Sequence, residues 1–240
     1  MNCAYCTLVS NDEYTWGAAC LSISKSIINT KYPLVIMVSE IVSEENKKLL
    51  SNYGIVKIIP NHIFEYGDND FYKCTKQKLE VFNLTEYDRV CFLDADMLML
   101  ESLDYELENN AFMFDIRERY VKGLNRFAVC GEVFIVTPDS STFGMLIDIA
   151  DKNKLNNDEE CLAYIYKEEF LSPIMNGQFS CLMNKTAHMA MAGRLFLDIE
   201  APHYSKHGKY WTHYDMNDDV AKLLVYTMLT QIINRVYLIE

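Results

Sequence analysis

The chain has 240 residues, half of them hydrophobic and 23% charged, so it can bury a packed core and general disorder is excluded. Its 34 acidic against 22 basic residues give a formal net charge of −12. A surface of that sign repels nucleic acid and anionic lipid, which excludes both as main partners, and it repels phosphate-bearing ligands wherever no cation or local basic site intervenes.

In chain order, Cys3–Val9 reads as a short apolar strand, and Asp12 is placed to cap a helix running to about Asn29. Leu34–Val38 is a second strand and Ser43–Ser51 a helix opening with two glutamates. Ile55–Ile59 is a third strand, followed by a polar loop around Gly67-Asp68-Asn69-Asp70 and a helix from about Lys73 to Leu84. Arg89–Leu93 is a fourth strand, Val133–Val136 a further one, and Ser140–Asp151 a helix. The last element, Asp218–Tyr237, is a helix whose stripe of Leu223, Leu224, Tyr226, Met228, Leu229, Ile232 and Ile233 suits either the core or a dimer face. Near-continuous apolar strands separated by helices predict an α/β fold: a Rossmann-like, mostly parallel central sheet flanked by helices. With 9 Gly, 5 Pro and no internal repeat, one domain over 1–240 is expected.

No run of 18 or more apolar residues and no basic-then-apolar leader is present. The expectation is a soluble cytoplasmic protein without a membrane partner. The eight cysteines are scattered, several within apolar runs, as free buried thiols of a reducing compartment would be. Cys3-x-x-Cys6 is the single close pair; in a strand its members face opposite sides, and no second pair completes a zinc site.

Two clusters carry chemistry. Asp94 and Asp96 follow the buried strand Val90-Cys91-Phe92-Leu93 directly. In extended chain, residues i and i+2 project to one side with Cα atoms about 7 Å apart, so both carboxylates could meet one hard divalent ion, Mn²⁺ or Mg²⁺. The other reading is a pair of surface acids in a turn. The second cluster, His203 to His213, gathers three of the five histidines with Lys206, Lys209 and Trp211 in an otherwise acidic chain. It suits a basic surface loop, or a nitrogen ligand and phosphate-binding lysines.

Together the clusters resemble the glycogenin-like retaining glycosyltransferases of family 8, which have a GT-A type fold. Thr7-Leu8-Val9-Ser10-Asn11-Asp12-Glu13-Tyr14 is similar to that family's opening motif. The resemblance implies that Leu8, Ser10, Asn11 and Tyr14 line the uracil of a UDP-sugar donor. Lys78-Leu79 stands sixteen residues before Asp94, the family's offset, which makes Lys78 a donor contact. Phe92-Leu93-Asp94-Ala95-Asp96 resembles the metal motif, with Ala95 also touching the donor. Asn157-Asp158-Glu159 is similar to a Gly-Asp-Gln motif beside the transferred sugar, so Asp158 and Glu159 are candidate catalytic residues. His203, Lys209 and Trp211 resemble a C-terminal motif that supplies the third metal ligand, a lysine that binds the diphosphate and is the third candidate catalytic residue, and a donor-site tryptophan.

The sequence departs from the family at Lys206 and Tyr210, where glycine and proline are usual, and at Glu159, where glutamine is. Cys130-Gly131-Glu132 stands where the family has Asn-(Ser/Ala)-Gly. The resemblance makes 1–100 the nucleotide-binding half, 101–215 the acceptor half with the rest of the metal site, and 216–240 a closing helix. It implies hexose transfer from a UDP-sugar to a hydroxyl of a glycan, protein or small molecule. Sixteen tyrosines leave self-glycosylation open. A non-catalytic UDP-sugar-binding homologue and a glycoside hydrolase are the alternatives.

Overall fold

The computed structural model describes residues 1–61, 74–117, 128–165, 182, 185–188, 211 and 214–237. In chain order the elements are β1 (Cys3–Val9), α1 (Thr15–Ile28), β2 (Leu34–Ser39), α2 (Glu44–Leu50), β3 (Ile55–Ile59), a 3₁₀ helix (Lys76–Asn83), β4 (Arg89–Leu93) and β5 (Met97–Met99). There follow α3 (Asp104–Asn109), β6 (Met113–Arg117), β7 (Ala128–Val136), α4 (Ser140–Asn153), α5 (Asp158–Ile165), β8 (Thr186–His188) and α6 (Asp218–Tyr237).

Six strands form one sheet in the order β3-β2-β1-β4-β7-β6. The β1–β2, β2–β3 and β1–β4 pairs are parallel, whereas β7 runs antiparallel to both β4 and β6. The sheet is therefore mostly parallel, as expected, with one reversed strand. β5 and β8 make a separate antiparallel pair.

β1 shows why its residue pattern is apolar throughout. Ala4, Cys6 and Leu8 pack into the core on one face of the sheet, with the 3₁₀ helix, α4 and α5. Cys3, Tyr5 and Val9 pack into the core on the other face, with α1. The two cysteines of the Cys3-x-x-Cys6 pair thus point to opposite sides, and both are free and buried. A third apolar cluster joins Cys20 and Ile23 of α1 to Ala221, Leu224, Val225, Met228 and Leu229 of α6. Leu224, Met228, Leu229 and Ile232 of the expected stripe are thus core, whereas Leu223 and Tyr226 are exposed.

Several local expectations change. Asp12 does not cap α1: Asn11 caps a short 3₁₀ turn, Asp12–Tyr14, that leads into it. The Asp12 carboxylate instead accepts hydrogen bonds from the backbone N–H (2.8 Å) and hydroxyl (3.1 Å) of Ser43, the N-cap of α2. The helix expected from about Lys73 is helical from Cys74, where the described residues resume, and 3₁₀ over Lys76–Asn83. The strand expected at Val133–Val136 begins at Ala128. Asp158–Ile165, read only as a motif, is a helix. The Gly67–Asp70 loop lies outside the described residues, as does most of the region expected to hold the acceptor, roughly 115–129 with 170–193.

Candidate functional site

Parallel pairing sets Cys6 of β1 opposite Phe92 of β4. The chain leaving β1 at Leu8-Val9-Ser10 and the chain leaving β4 at Asp94-Ala95-Asp96 therefore emerge side by side at the carboxyl edge of the sheet, where open α/β sheets bind ligands. The Asp94 N–H donates to the Glu132 carbonyl of β7 at 2.8 Å, and Met97 N–H donates back to the Asp94 carbonyl at 3.1 Å. Asp94 to Met97 is thus a tight turn, which corrects the expected extended spacing. Across this turn the charge of Asp96 pushes the Asp94 carboxyl upward.

β7 is irregular at this point. Opposite β6 its register jumps from Phe134 to Cys130, leaving Gly131, Glu132 and Val133 bulged beside Asp94. Bulges commonly re-aim chain next to a site. Gly131 fills a particular need here, because a Cβ at that position would overlap Oδ2 of Asp158 and stand 3.2 Å from Cγ of Glu159. The Gly131 N–H also donates to Oε1 of Glu159 at 3.3 Å. Both acids are delivered by α5, whose N-cap is Asn157: its side-chain oxygen accepts from Glu160 N–H at 2.9 Å, and Glu160 accepts from Asn156 N–H at 2.8 Å. Asp158 opens the helix, where the macrodipole favours a negative charge, and its side chain is 3% exposed.

Lys78, on the 3₁₀ helix, reaches into this group. Its Nζ lies 2.7 Å from Oδ1 and 3.1 Å from Oδ2 of Asp94, and 3.3 Å from Oδ2 of Asp158. It also donates to the Gly131 carbonyl at 3.1 Å and lies over the Phe92 ring. Burial pulls the Lys78 ammonium down, but the charges of Asp158 and Asp94 outweigh it and hold the group firmly protonated. For Asp94 burial is the larger effect: with Asp96 it pushes the carboxyl upward against the pull of Lys78. The ionised Asp94 is therefore under-compensated in this setting.

The other expected residues divide into edge and packing positions. Leu8 is nearly buried, Ser10 half-buried and Asn11 exposed, with the Asn11 side chain accepting from Glu13 N–H at 3.0 Å. Tyr14 meets Trp211 edge to face, with ring centroids 6.4 Å apart. Trp211 is 2% exposed, and its indole N–H donates to the Glu13 carbonyl at 2.6 Å. A Cβ on Gly17 would stand 2.5 Å from the Trp211 ring and 2.7 Å from the Ala95 carbonyl. Tyr14, Gly17, Ala95 and Trp211 thus form one knot that fixes the start of α1 against the acidic turn. His203 and Lys209 lie outside the described residues.

A divalent ion fits the residues that are described. Asp94 and Asp96 are hard oxygen donors on one tight turn at a sheet edge. No group of three or more His, Cys, Asp or Glu side chains converges among the described residues. Two ligands are therefore in view, and His203 is the expected third. Gly131 was not foreseen as a site residue; a glycine inside an apolar strand is the signal that could have marked it, since such glycines attend bulges and close approaches.

No family model matches the chain. Over 130 residues it is 29% identical to galactinol synthase 1 of Solanum lycopersicum, covering 50% of this chain and 38% of that protein. Over 159 residues it is 27% identical to human glycogenin-1, covering 62% of this chain and 43% of that protein. The match thus spans less than half the length of either relative. The galactosyltransferase LgtC, solved in complex with donor and acceptor sugar analogues, superposes with a TM-score of 0.60 at 14% identity over 93% of this chain and 95% of its own. The chain is thus similar in sequence to galactinol synthase and glycogenin, and its fold is that of the GT-A glycosyltransferases.

Proposed function

We propose that the protein is a metal-dependent retaining glycosyltransferase that moves a hexose from a UDP-sugar to a hydroxyl acceptor. The observation that carries this reading is the convergence of Lys78, Asp94 and Asp158 around the Gly131 bulge at the carboxyl edge of a GT-A sheet. The sequence motifs gave these residues donor and sugar roles independently of that geometry.

A divalent ion held by Asp94, Asp96 and His203 would stabilise the charge that develops on the departing diphosphate. Lys78, held protonated and nearly buried, would present its ammonium to the same charge. Lys209 would add a second ammonium on the diphosphate. Leu8, Ser10, Asn11 and Tyr14 would orient the uracil. Asp158 and Glu159, fixed at the N-terminus of α5, are the acids that would face the sugar. Glu159 brings a charge where the resembling motif has an amide, a difference that bears on donor choice.

The test is a screen of UDP-sugars for metal-dependent release of UDP. Release that requires Mn²⁺, stops with EDTA and is lost in Asp94→Ala/Asp96→Ala supports the reading. Sugar cleavage that survives EDTA would indicate a glycoside hydrolase, and UDP binding without turnover of any donor a binding protein.

A further inference from the structure

Lys78 faces both oxygens of Asp94, at 2.7 and 3.1 Å, which are the oxygens an oxygen-seeking divalent cation would use. A cation arriving on Asp94 would stand next to the ammonium of a lysine side chain that is only 12% exposed. Two positive charges at that separation repel strongly in a partly dehydrated site. The ammonium has a second resting place within its present reach: the Gly131 carbonyl at 3.1 Å and Asp158 Oδ2 at 3.3 Å. Asp158 approaches that closely only because residue 131 carries no Cβ.

We propose that Lys78 is the resident counter-ion of the metal site. In the metal-free protein its ammonium supplies Asp94 with positive charge, and a divalent cation displaces it towards Asp158 and the Gly131 carbonyl, where it faces the donor diphosphate. This rests on reading Asp94 and Asp96 as metal ligands. Lys78 thereby acts against metal binding before the nucleotide arrives and in favour of it afterwards. The metal alone binds weakly, and metal and nucleoside diphosphate bind strongly as a pair.

The measurement is calorimetric titration of Mn²⁺ into the wild type and into Lys78→Met, without nucleotide and then with UDP present. Without nucleotide, Lys78→Met takes up Mn²⁺ more tightly than the wild type, by on the order of tenfold, the scale on which one neighbouring charge shifts ionic equilibria. With UDP present the order reverses. Equal or weaker uptake by Lys78→Met without nucleotide overturns the proposal. If the variant does not fold without metal, melting is followed as Mn²⁺ is added: a fold restored by the ion supports the exchange, and a fold that the ion does not restore overturns it. Asp94→Asn separates this from the underlying reading. If that variant binds Mn²⁺ as the wild type does, the metal site is misassigned and the proposal falls with it. If it loses Mn²⁺ while Lys78→Met shows no gain, the counter-ion role alone fails.

Discussion

The carboxylate of Asp158 stands in the space that a side chain on Gly131 would fill, although the two residues are 27 positions apart and on different elements. This approach lets Asp158 share Lys78 with Asp94. Gly131→Ala should therefore force α5 away from β7 or turn Asp158 off Lys78. The expected loss of stability is about 1–3 kcal/mol, the usual cost of overfilling a packed site. Urea denaturation measures it. UDP release should fall as well, whereas Gly144→Ala, where nothing lies within 4 Å of the added Cβ, should leave stability unharmed.

The acidic turn makes a prediction about metal. Asp94→Ala/Asp96→Ala should lower Mn²⁺-dependent UDP release by roughly 100-fold or more, the scale of a lost electrostatic stabiliser. Circular dichroism should be unchanged, because the turn is also held by backbone hydrogen bonds from Asp94 and Met97 N–H. Full donor turnover by the double variant would remove the acids from the mechanism.

Trp211 is buried against α1 and α6 and bonded to the Glu13 carbonyl. Trp211→Ala should destabilise the protein by about 3–5 kcal/mol, as large aromatic truncations in cores do. Gly17→Ala should loosen the same contact from the other side. Both should weaken UDP binding, because the knot they disturb fixes the acidic turn. Melting temperature and UDP affinity, measured together on each variant, check this.

Asp139 caps α4, accepting from the N–H groups of Ser141 and Thr142 at 3.1 Å each. Hydrogen bonds from Ser141, then Thr142, hold its carboxyl down at about 2. Because the folded value is depressed, the cap's stabilisation is fully present above the ordinary carboxylate value of about 3.9 and is lost as pH falls towards about 2. The difference in melting temperature between the wild type and Asp139→Ala should therefore be constant near neutrality and shrink as the solution is acidified through that window.

Burial pushes the thiols of Cys20 and Cys161 up to about 12, and those of Cys6 and Cys91 higher still. Only thiolates alkylate readily. Mass spectrometry after iodoacetamide treatment at pH 8 should find these four unmodified in the folded protein and modified after denaturation. Rapid labelling of Cys6 in the folded state would contradict its placement in the sheet core.

Much of the frame was legible because its signals are local. Cys3–Val9, Ile55–Ile59, Arg89–Leu93 and Asp218–Tyr237 have the limits their apolar runs suggest. What escaped was decided by partners far along the chain. The reversal of β7 depends on its pairing with Phe92 and Leu93, which no period within residues 128–136 encodes. α5 is masked in the sequence by the motif Asn157-Asp158-Glu159 at its start; the Asn157-to-Glu160 spacing is nevertheless a helix-start signal. Of the candidate site, motif order brought out Lys78, Asp94, Asp96 and Asp158. It did not show that one ammonium joins two of those acids, since that depends on a glycine whose significance is steric.

The reversed strand also bears on folding kinetics. Gly131 reaches Lys78 and Asp158 only after β7 has docked on β4, and β4 must itself pair with β1 across 86 residues, Cys3 to Arg89. Contacts of such sequence separation form slowly, because the entropy of closing the chain is lost before the contacts compensate. No early local nucleus can contain the acidic cluster. Until the sheet closes, Asp94 remains an ordinary hydrated carboxylate. On the proposed function, recovery of Mn²⁺ binding during refolding should report completion of the sheet, rather than formation of any single helix.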